Sequence, residues 1–252
     1  MRIIDTDNNS FSVWASDPYR VLATDGYDVN EPGPVDGRFT VVGAGGRVDL
    51  EVTVPDDGSA VGVEVGGFGQ VTVGPSGAEA PDTTEQPAAV LDLLQYGEPD
   101  DIGFDTSEPD RHFTYDIGRR PGFLDGKPGL WWTINGHLFP NVPMFVVEEG
   151  DVVVMDIDNG SGRTHPMHLH GHHAVVLSHD GEKATGSPWW VDSLEVPSGE
   201  TYRIAFLADN PGIWMDHCHM LDHAAQGLVA HLMYAGVDTP YRVGADAENH
   251  PE

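Results

Sequence analysis

Two short segments concentrate the residues able to bind metal. His165-Pro-Met-His168-Leu-His170-Gly-His172 and His217-Cys218-His219-Met-Leu-Asp-His223 hold seven of the thirteen histidines and the only cysteine of the 252-residue chain. Imidazole and thiolate are ligands for copper, iron and zinc, and one cysteine held with two histidines is the donor set of blue copper. Structural zinc favours several cysteines, and this chain has one. His168 and His170 are two residues apart, as are His217 and His219. On an extended strand each pair shares a face, and Cys218 then points the opposite way. One strand is therefore expected to serve a metal inside its own domain through Cys218, and a second site outside it through His217 and His219.

The segments HPMHLHGH and HCHMLDHAAQGL resemble the two C-terminal copper signatures of the multicopper oxidases, the laccase-like family. Copper is the cofactor that this resemblance implies. It implies His165, Cys218 and His223 as ligands of a mononuclear (type 1) blue copper, His168 as a type 2 ligand, and His170, His217 and His219 as ligands of a type 3 pair. Leu228 stands ten residues after Cys218, where many members place an axial methionine. Leucine cannot coordinate, so the resemblance implies a three-coordinate type 1 site. The catalytic route it implies runs from a small reducing substrate to the edge of His223, through Cys218 to His217 and His219, and on to dioxygen, which is reduced to water.

Members with three cupredoxin domains complete the trinuclear cluster with four more histidines, on two His-x-His motifs of an N-terminal domain. No His-x-His precedes residue 168 here. The resemblance thus covers a second and a third domain, and implies a missing N-terminal cupredoxin domain or another subunit as partner. Two alternatives stay open: a module with a single type 1 copper that only binds or transfers electrons, and an inactive truncated product. Copper nitrite reductase fits less well, because His217-Cys218-His219 has the oxidase form. Phenols, metal ions and other small reductants are all open as substrates.

The elements that must position these residues read as β almost throughout. Arg47–Val54 and Tyr202–Leu207 alternate with period two, and Gly, Pro and Asp-Gly punctuate such stretches. Thirty-one glycines and nineteen prolines suit short strands joined by tight turns. One short helix is expected near Met220–Ala225. An internal repeat relates Ile4–Asn8 to Met155–Asn159, Val21–Gly26 to Val176–Gly181, and Thr40–Val48 to Ser193–Thr201. The expected fold is all-β, two cupredoxin-like Greek-key β-sandwiches, the cupredoxin identity coming from the resemblance. Residues 1–88 are expected to form a copper-free domain with a linker from Gly74 to Ala88, and residues 89–252 the copper-binding domain. Where the second repeat has His-Leu-His, the first has Ser12-Val-Trp-Ala-Ser, and it carries no histidine before residue 112. The first repeat has no counterpart of Ile134–Asp151, so its sandwich is expected to lack an initial strand and the chain to begin inside a domain. Ala89–Tyr96 is expected to be a strand, and Glu98–Asp110 an acidic loop.

Composition narrows the partners. Forty-one acidic against twelve basic residues leave a net charge of -29, which repels nucleic acid and anionic membrane. A hydrophobic content of 39% argues for a folded chain, and the acidity is read as adaptation to high salt. No run of about twenty apolar residues is present. The first residues show no apolar export segment, and the compartment stays open, since many members of the resembled family are exported. His112, His137, His172, His173, His179, His231 and His250 are read as structural or solvated. Asp216 and Asp222 are read as solvated acids, and Trp189, Trp190 and Met215 as core.

Overall fold

The computed structural model describes residues 1–238. The chain divides into two compact units, Met1–Asp100 with Thr185–Trp189, and Asp101–Ala184 with the segment from Trp190 onward.

The first unit holds β1 (Arg2–Ile4), β2 (Phe11–Ala15), β3 (Tyr19–Thr24), β4 (Tyr27–Asp28), β5 (Arg38–Val42), β6 (Arg47–Val52), β7 (Val61–Val65), β8 (Gly69–Val73) and β9 (Ala89–Val90). They form two sheets, ordered β1-β6-β3-β4 and β8-β7-β2-β5-β9. Alternation makes the core: on β3 Tyr19 and Val21 are buried and Arg20 is exposed, and on β6 Val48 and Leu50 are buried. Val13, Val21, Val42, Leu50 and Val63 pack together, and Leu91 belongs to the same cluster. The expected strand over residues 89–96 shortens to Ala89–Val90, because the Asp92 carboxylate accepts a hydrogen bond from the Leu94 amide at 3.0 Å and turns the chain.

The second unit holds β10 (Arg111–Leu124), β11 (Lys127–Ile134), β12 (Met144–Val147), β13 (Val152–Asn159), β14 (His165–Leu169), β15 (Ala174–His179), β16 (Glu182–Lys183), β17 (Trp189–Val191), β18 (Ser193–Val196), β19 (Thr201–Leu207), β20 (Ile213–Cys218), α1 (Leu221–Ala225) and β21 (Val229–Tyr234). Its sheets run β11-β10-β13-β19-β15-β16 and β12-β21-β20-β14-β18. Without β10–β12, the paths β13-β19-β15-β16 and β21-β20-β14-β18 reproduce β1-β6-β3-β4 and β8-β7-β2-β5 of the first unit. The repeat in the sequence is thus a repeat of topology, and β2 with its Ser12-Val-Trp-Ala takes the place that β14 has in the second unit. Beside β13 the second unit adds the long β10–β11 hairpin, whose turn residues Asp125 and Gly126 both have positive φ, 50° and 73°. That geometry matches the right-handed twist of paired strands. Among the described residues, no helix is long and apolar enough to cross a membrane.

Candidate metal centre

β14 and β20 lie side by side in antiparallel register, with Met167 opposite Cys218 and His168 opposite His217. The register sorts the ligand types onto two faces. His165, Met167, Leu169, Asp216 and Cys218 turn into the sandwich and are buried, and the other face carries His168 and His217, with His170 and His219 just past the strand ends. α1 follows at once and delivers His223 back to the Cys218 side. The Leu228 amide closes the loop on the His223 carbonyl at 3.0 Å, and the Cys218 amide on the Leu228 carbonyl at 3.1 Å. Gly227, at φ +98°, makes that return possible.

His165, Cys218 and His223 form the one metal-ligating group of this kind found among the described residues. Cys218 Sγ lies 3.6 Å from His165 Nδ1 and 3.7 Å from His223 Nδ1, and the two nitrogens are 3.1 Å apart. Metal bonds of roughly 2.0–2.3 Å in a trigonal plane place such donors about 3.5 Å apart, so the three atoms fit one small ion. The lone pairs are prepared for it. Ser161 Oγ gives its proton to Asn159 Oδ1 at 2.6 Å, so it accepts from His165 Nε2–H at 2.8 Å, which leaves Nδ1 bare and aimed at Cys218. Burial, reinforced by the neighbouring His223 and by Arg119 and Arg163, holds the His165 pKa down to about 3. Burial also lowers His223 and pushes the Cys218 thiol up to about 12, so a bound metal must displace the thiol proton. Leu228 is fully buried.

On the other face, the His168 ring lies 4.8 Å from His170, 5.8 Å from His217 and 5.8 Å from His219, centroid to centroid. His168 Nδ1–H donates to the Asp192 carbonyl at 2.7 Å, and His217 Nδ1–H to the Cys218 carbonyl at 3.0 Å. A carbonyl oxygen only accepts, so both rings present a bare Nε2. His217 Nε2 therefore accepts from His170 Nε2–H at 3.0 Å, and a metal bound there would replace that proton. Burial holds His217 down to about 4 and lowers His168 and His219. His219 Nδ1 is buried with no hydrogen-bond partner among the described residues. The structure therefore gathers His165, Cys218 and His223 on one side of β20, and His168, His170, His217 and His219 on the other.

Several neighbours were not anticipated from the motifs. Trp132, on β11, packs its ring 4.7 Å from His165 and 4.5 Å from His223, and Arg119 lies 4.4 Å over that ring. Asp192 supports the second cluster, its carboxylate 3.1 Å from His173 Nε2. Asp216 departs from the expected solvated acid. It is 7% exposed, in a core cavity of about 30 Å³ that Tyr115 also lines, and burial raises its pKa to about 7 against a smaller lowering by the Tyr115 hydroxyl. The cause is its place two residues before Cys218, on the inward face. Asp222 is exposed. His172 has both nitrogens engaged, by the His170 carbonyl at 3.2 Å and the Tyr234 hydroxyl at 2.6 Å, and has no lone pair to spare. Trp190 packs edge-on to Phe104 at 6.2 Å. His250 lies outside the described residues.

Comparison with known proteins gives the same direction. The multicopper oxidase family matches residues 106–236. The iron transport multicopper oxidase fio1 of Schizosaccharomyces pombe is 38% identical over 108 residues, 38% of this chain and 17% of that protein. The multicopper oxidase MmcO of Mycobacterium tuberculosis is 33% identical over 103 residues, 41% of this chain and 20% of that protein. A solved multicopper oxidase from Pseudomonas thermotolerans aligns at 28% identity with a TM-score of 0.66, over 93% of this chain and 54% of its own. The chain thus spans about half the length of that solved relative, and the two sandwiches share its cupredoxin-like architecture. Because the family match extends over more than half of the chain, and over the unit that carries both clusters, this protein belongs to the multicopper oxidases, whose cofactor is copper.

Proposed function

We propose that the chain is the electron-accepting part of an oxidase that couples one-electron oxidation of a small reductant to reduction of dioxygen to water. In this reading His165 Nδ1, Cys218 Sγ and His223 Nδ1 hold a type 1 copper, and His168, with His170, His217 and His219, supplies half of a trinuclear site, type 2 and type 3 respectively. Copper bound at the two positions provides the one-electron redox couples and the site where oxygen is reduced. The observation that carries the reading is the alternation on β20. Cys218 faces inward, and the two residues covalently bonded to it, His217 and His219, belong to the outward cluster. The backbone of a single strand joins the two clusters, so no diffusing carrier is needed between them.

The chain's own residues do three things in this scheme. Ser161 and the carbonyls of Asp192 and Cys218 fix the imidazole tautomers. Trp132 screens the His165–His223 pair from water, being 2% exposed itself. Leu228, fully buried and joined through its backbone to Cys218 and His223, would offer a bound metal no ligand atom. Four outward histidines need complementary ligands, which a further cupredoxin domain, in the same polypeptide or in another, would supply. The first unit is the copper-free repeat, since β2 has no histidine where β14 has its ligands. The large acid excess supports adaptation to high salt.

A second reading has its own observation: the inward group alone is complete, which suits a one-copper electron-transfer module. Copper stoichiometry of the purified chain in high salt, taken with its visible spectrum, decides. One copper with an intense blue thiolate band supports the type 1 assignment, and added partner domain should then raise both copper content and oxygen uptake. Failure of any such domain to restore uptake favours the module. Absence of a blue band refutes the ligand assignment.

A further inference from the structure

The surroundings of the inward group bear on which reductant it meets, an inference that rests on the type 1 reading above. Acids outnumber bases in this chain by forty-one to twelve, so a guanidinium that faces no carboxylate is a local exception to the charge of the whole. Arg2, Arg20, Arg47, Arg111 and Arg203 each lie 2.6–3.5 Å from a carboxylate oxygen. Arg119 and Arg163 have no carboxylate partner among the described residues, nor do Arg38 and Arg120. The first two sit at the proposed copper. Arg119 is the cross-strand partner of Trp132, its guanidinium 4.4 Å from the indole centroid, and that indole packs against both His165 and His223. Arg163 precedes His165 by two residues, and its carbonyl is clamped by Asn159 Nδ2 at 2.7 Å. Both guanidinium charges act on His165 and on His223. The opposing charge at His223 is Asp222, on α1. His223 turns Nδ1 toward Cys218, which puts Nε2 on the far side of the ring.

We propose that the electron donor is a small aromatic carboxylate, its anionic group held by Arg119 and Arg163 while its ring meets the edge of His223. A guanidinium pairs a carboxylate through two parallel hydrogen bonds, and one already stacked on an indole loses less freedom in doing so. The net charge of -29 works against any anion at long range, but the two effects differ in reach. At about 1 M salt the Debye length is about 3 Å, so the distant repulsion is screened while contact pairing survives. High salt therefore leaves the local arginines in control. At each encounter the donor loses one electron, which reduces cupric to cuprous ion, and an oxidised phenol releases its proton to water.

Syringate and its methyl ester form a matched pair, the same phenol with and without a carboxylate. The copper-loaded chain, mixed anaerobically with each in high salt, should lose its blue band about ten-fold faster with sub-saturating syringate. The double variant Arg119→Gln/Arg163→Gln should bring the ratio of the two rates near one, each single variant should fall between, and Arg38→Gln in the first unit should keep the wild-type ratio. Saturation-transfer NMR on the copper-free chain should show syringate contacts that the double variant loses. A wild-type ratio at or below one, or a preference that survives the double variant, overturns the proposal. A chain that forms no blue band sinks the copper assignment instead, and the NMR comparison still decides whether the arginines hold the anion.

Discussion

The buried acid two residues before Cys218 offers a test of the site in which no metal plays a part. Asp216 is enclosed next to Tyr115, and burial lifts its pKa from 3.8 to about 7. The folded chain then keeps a proton that the unfolded chain gives up once the pH exceeds 3.8. Between those two values the unfolded state binds fewer protons, so stability is lost as pH rises, in full by the time the folded pKa is passed. At 1.36 kcal/mol per pKa unit, the interval from 3.8 to about 7 corresponds to about 4 kcal/mol, taken whole because the side chain is enclosed. Asp216→Asn keeps the shape and cannot ionise. Urea unfolding of the copper-free wild type and variant, at pH 4 and pH 8 in high salt, isolates the contribution. The histidines at both clusters, which resist protonation when folded, push stability the other way as pH falls, but they are common to both proteins and cancel in the difference. The stability of the variant relative to wild type should rise by about 4 kcal/mol between pH 4 and pH 8. Packing and hydrogen-bond changes made by the amide shift both pH values alike. A difference that stays flat, or that moves in the opposite sense, would refute the claim that Asp216 is held protonated in the core.

Ser161→Ala removes the acceptor that fixes His165 with Nδ1 bare; copper affinity, read by chelator competition against the blue band, should fall about 10–100-fold, and an unchanged affinity would show that packing alone orients the ring. Gly171→Ala asks for a side chain at φ +73° with its Cβ 2.5 Å from the Trp214 indole, so it should cost at least about 1–3 kcal/mol in urea unfolding and move His170; a neutral outcome counts against that turn geometry. Lowering salt from 1 M to 0.1 M lengthens the Debye length from about 3 to about 10 Å, and a melting temperature that does not fall would contradict the reading of the acid excess as salt adaptation.

Much of the inward and outward arrangement was legible because strand alternation is a local rule. His217, Cys218 and His219 are consecutive, and any extended backbone puts the middle one on its own face. The repeat was legible for a similar reason, since equivalent turns such as Asp25-Gly26 and Asp180-Gly181 demand the same residues, and the non-glycine member of each has a φ of 48°. What surrounds the metal group was harder to see. Trp132 and Arg119 reach it on a hairpin interrupted by Pro121, Gly122, Pro128 and Gly129, which break the period-two pattern. The signal available was Asp125-Gly126, a strong hairpin turn pair. Asp216 was hidden by composition: in a chain with forty-one acids an exposed carboxylate is the ordinary case, and only the register of β20 against β14 sends this one inward.

The two units sharpen what makes a metal site out of this sandwich. β2 and β14 occupy equivalent places in sheets of the same order, so the scaffold offers the same two faces twice. In the first unit Val13 packs into the apolar core, and Trp14, on the opposite face of β2, is buried with its Nε1 donating to Thr84 Oγ1 at 2.9 Å. In the second, polar donors are buried at the corresponding strand, a placement that costs several kcal/mol unless each group is satisfied. Ser161 and the backbone carbonyls of Asp192 and Cys218 satisfy one nitrogen of each ring that they touch and leave the other bare. Burial then keeps those rings neutral, and the same burial raises the thiol. A copper ion entering this unit would therefore find imidazole lone pairs already directed at it and would have to displace one cysteine proton, so its binding should weaken as pH falls and the released proton should be countable. Titration with cupric ion in weakly buffered solution would measure that release directly, and uptake with no proton liberated would exclude Cys218 thiolate as a ligand.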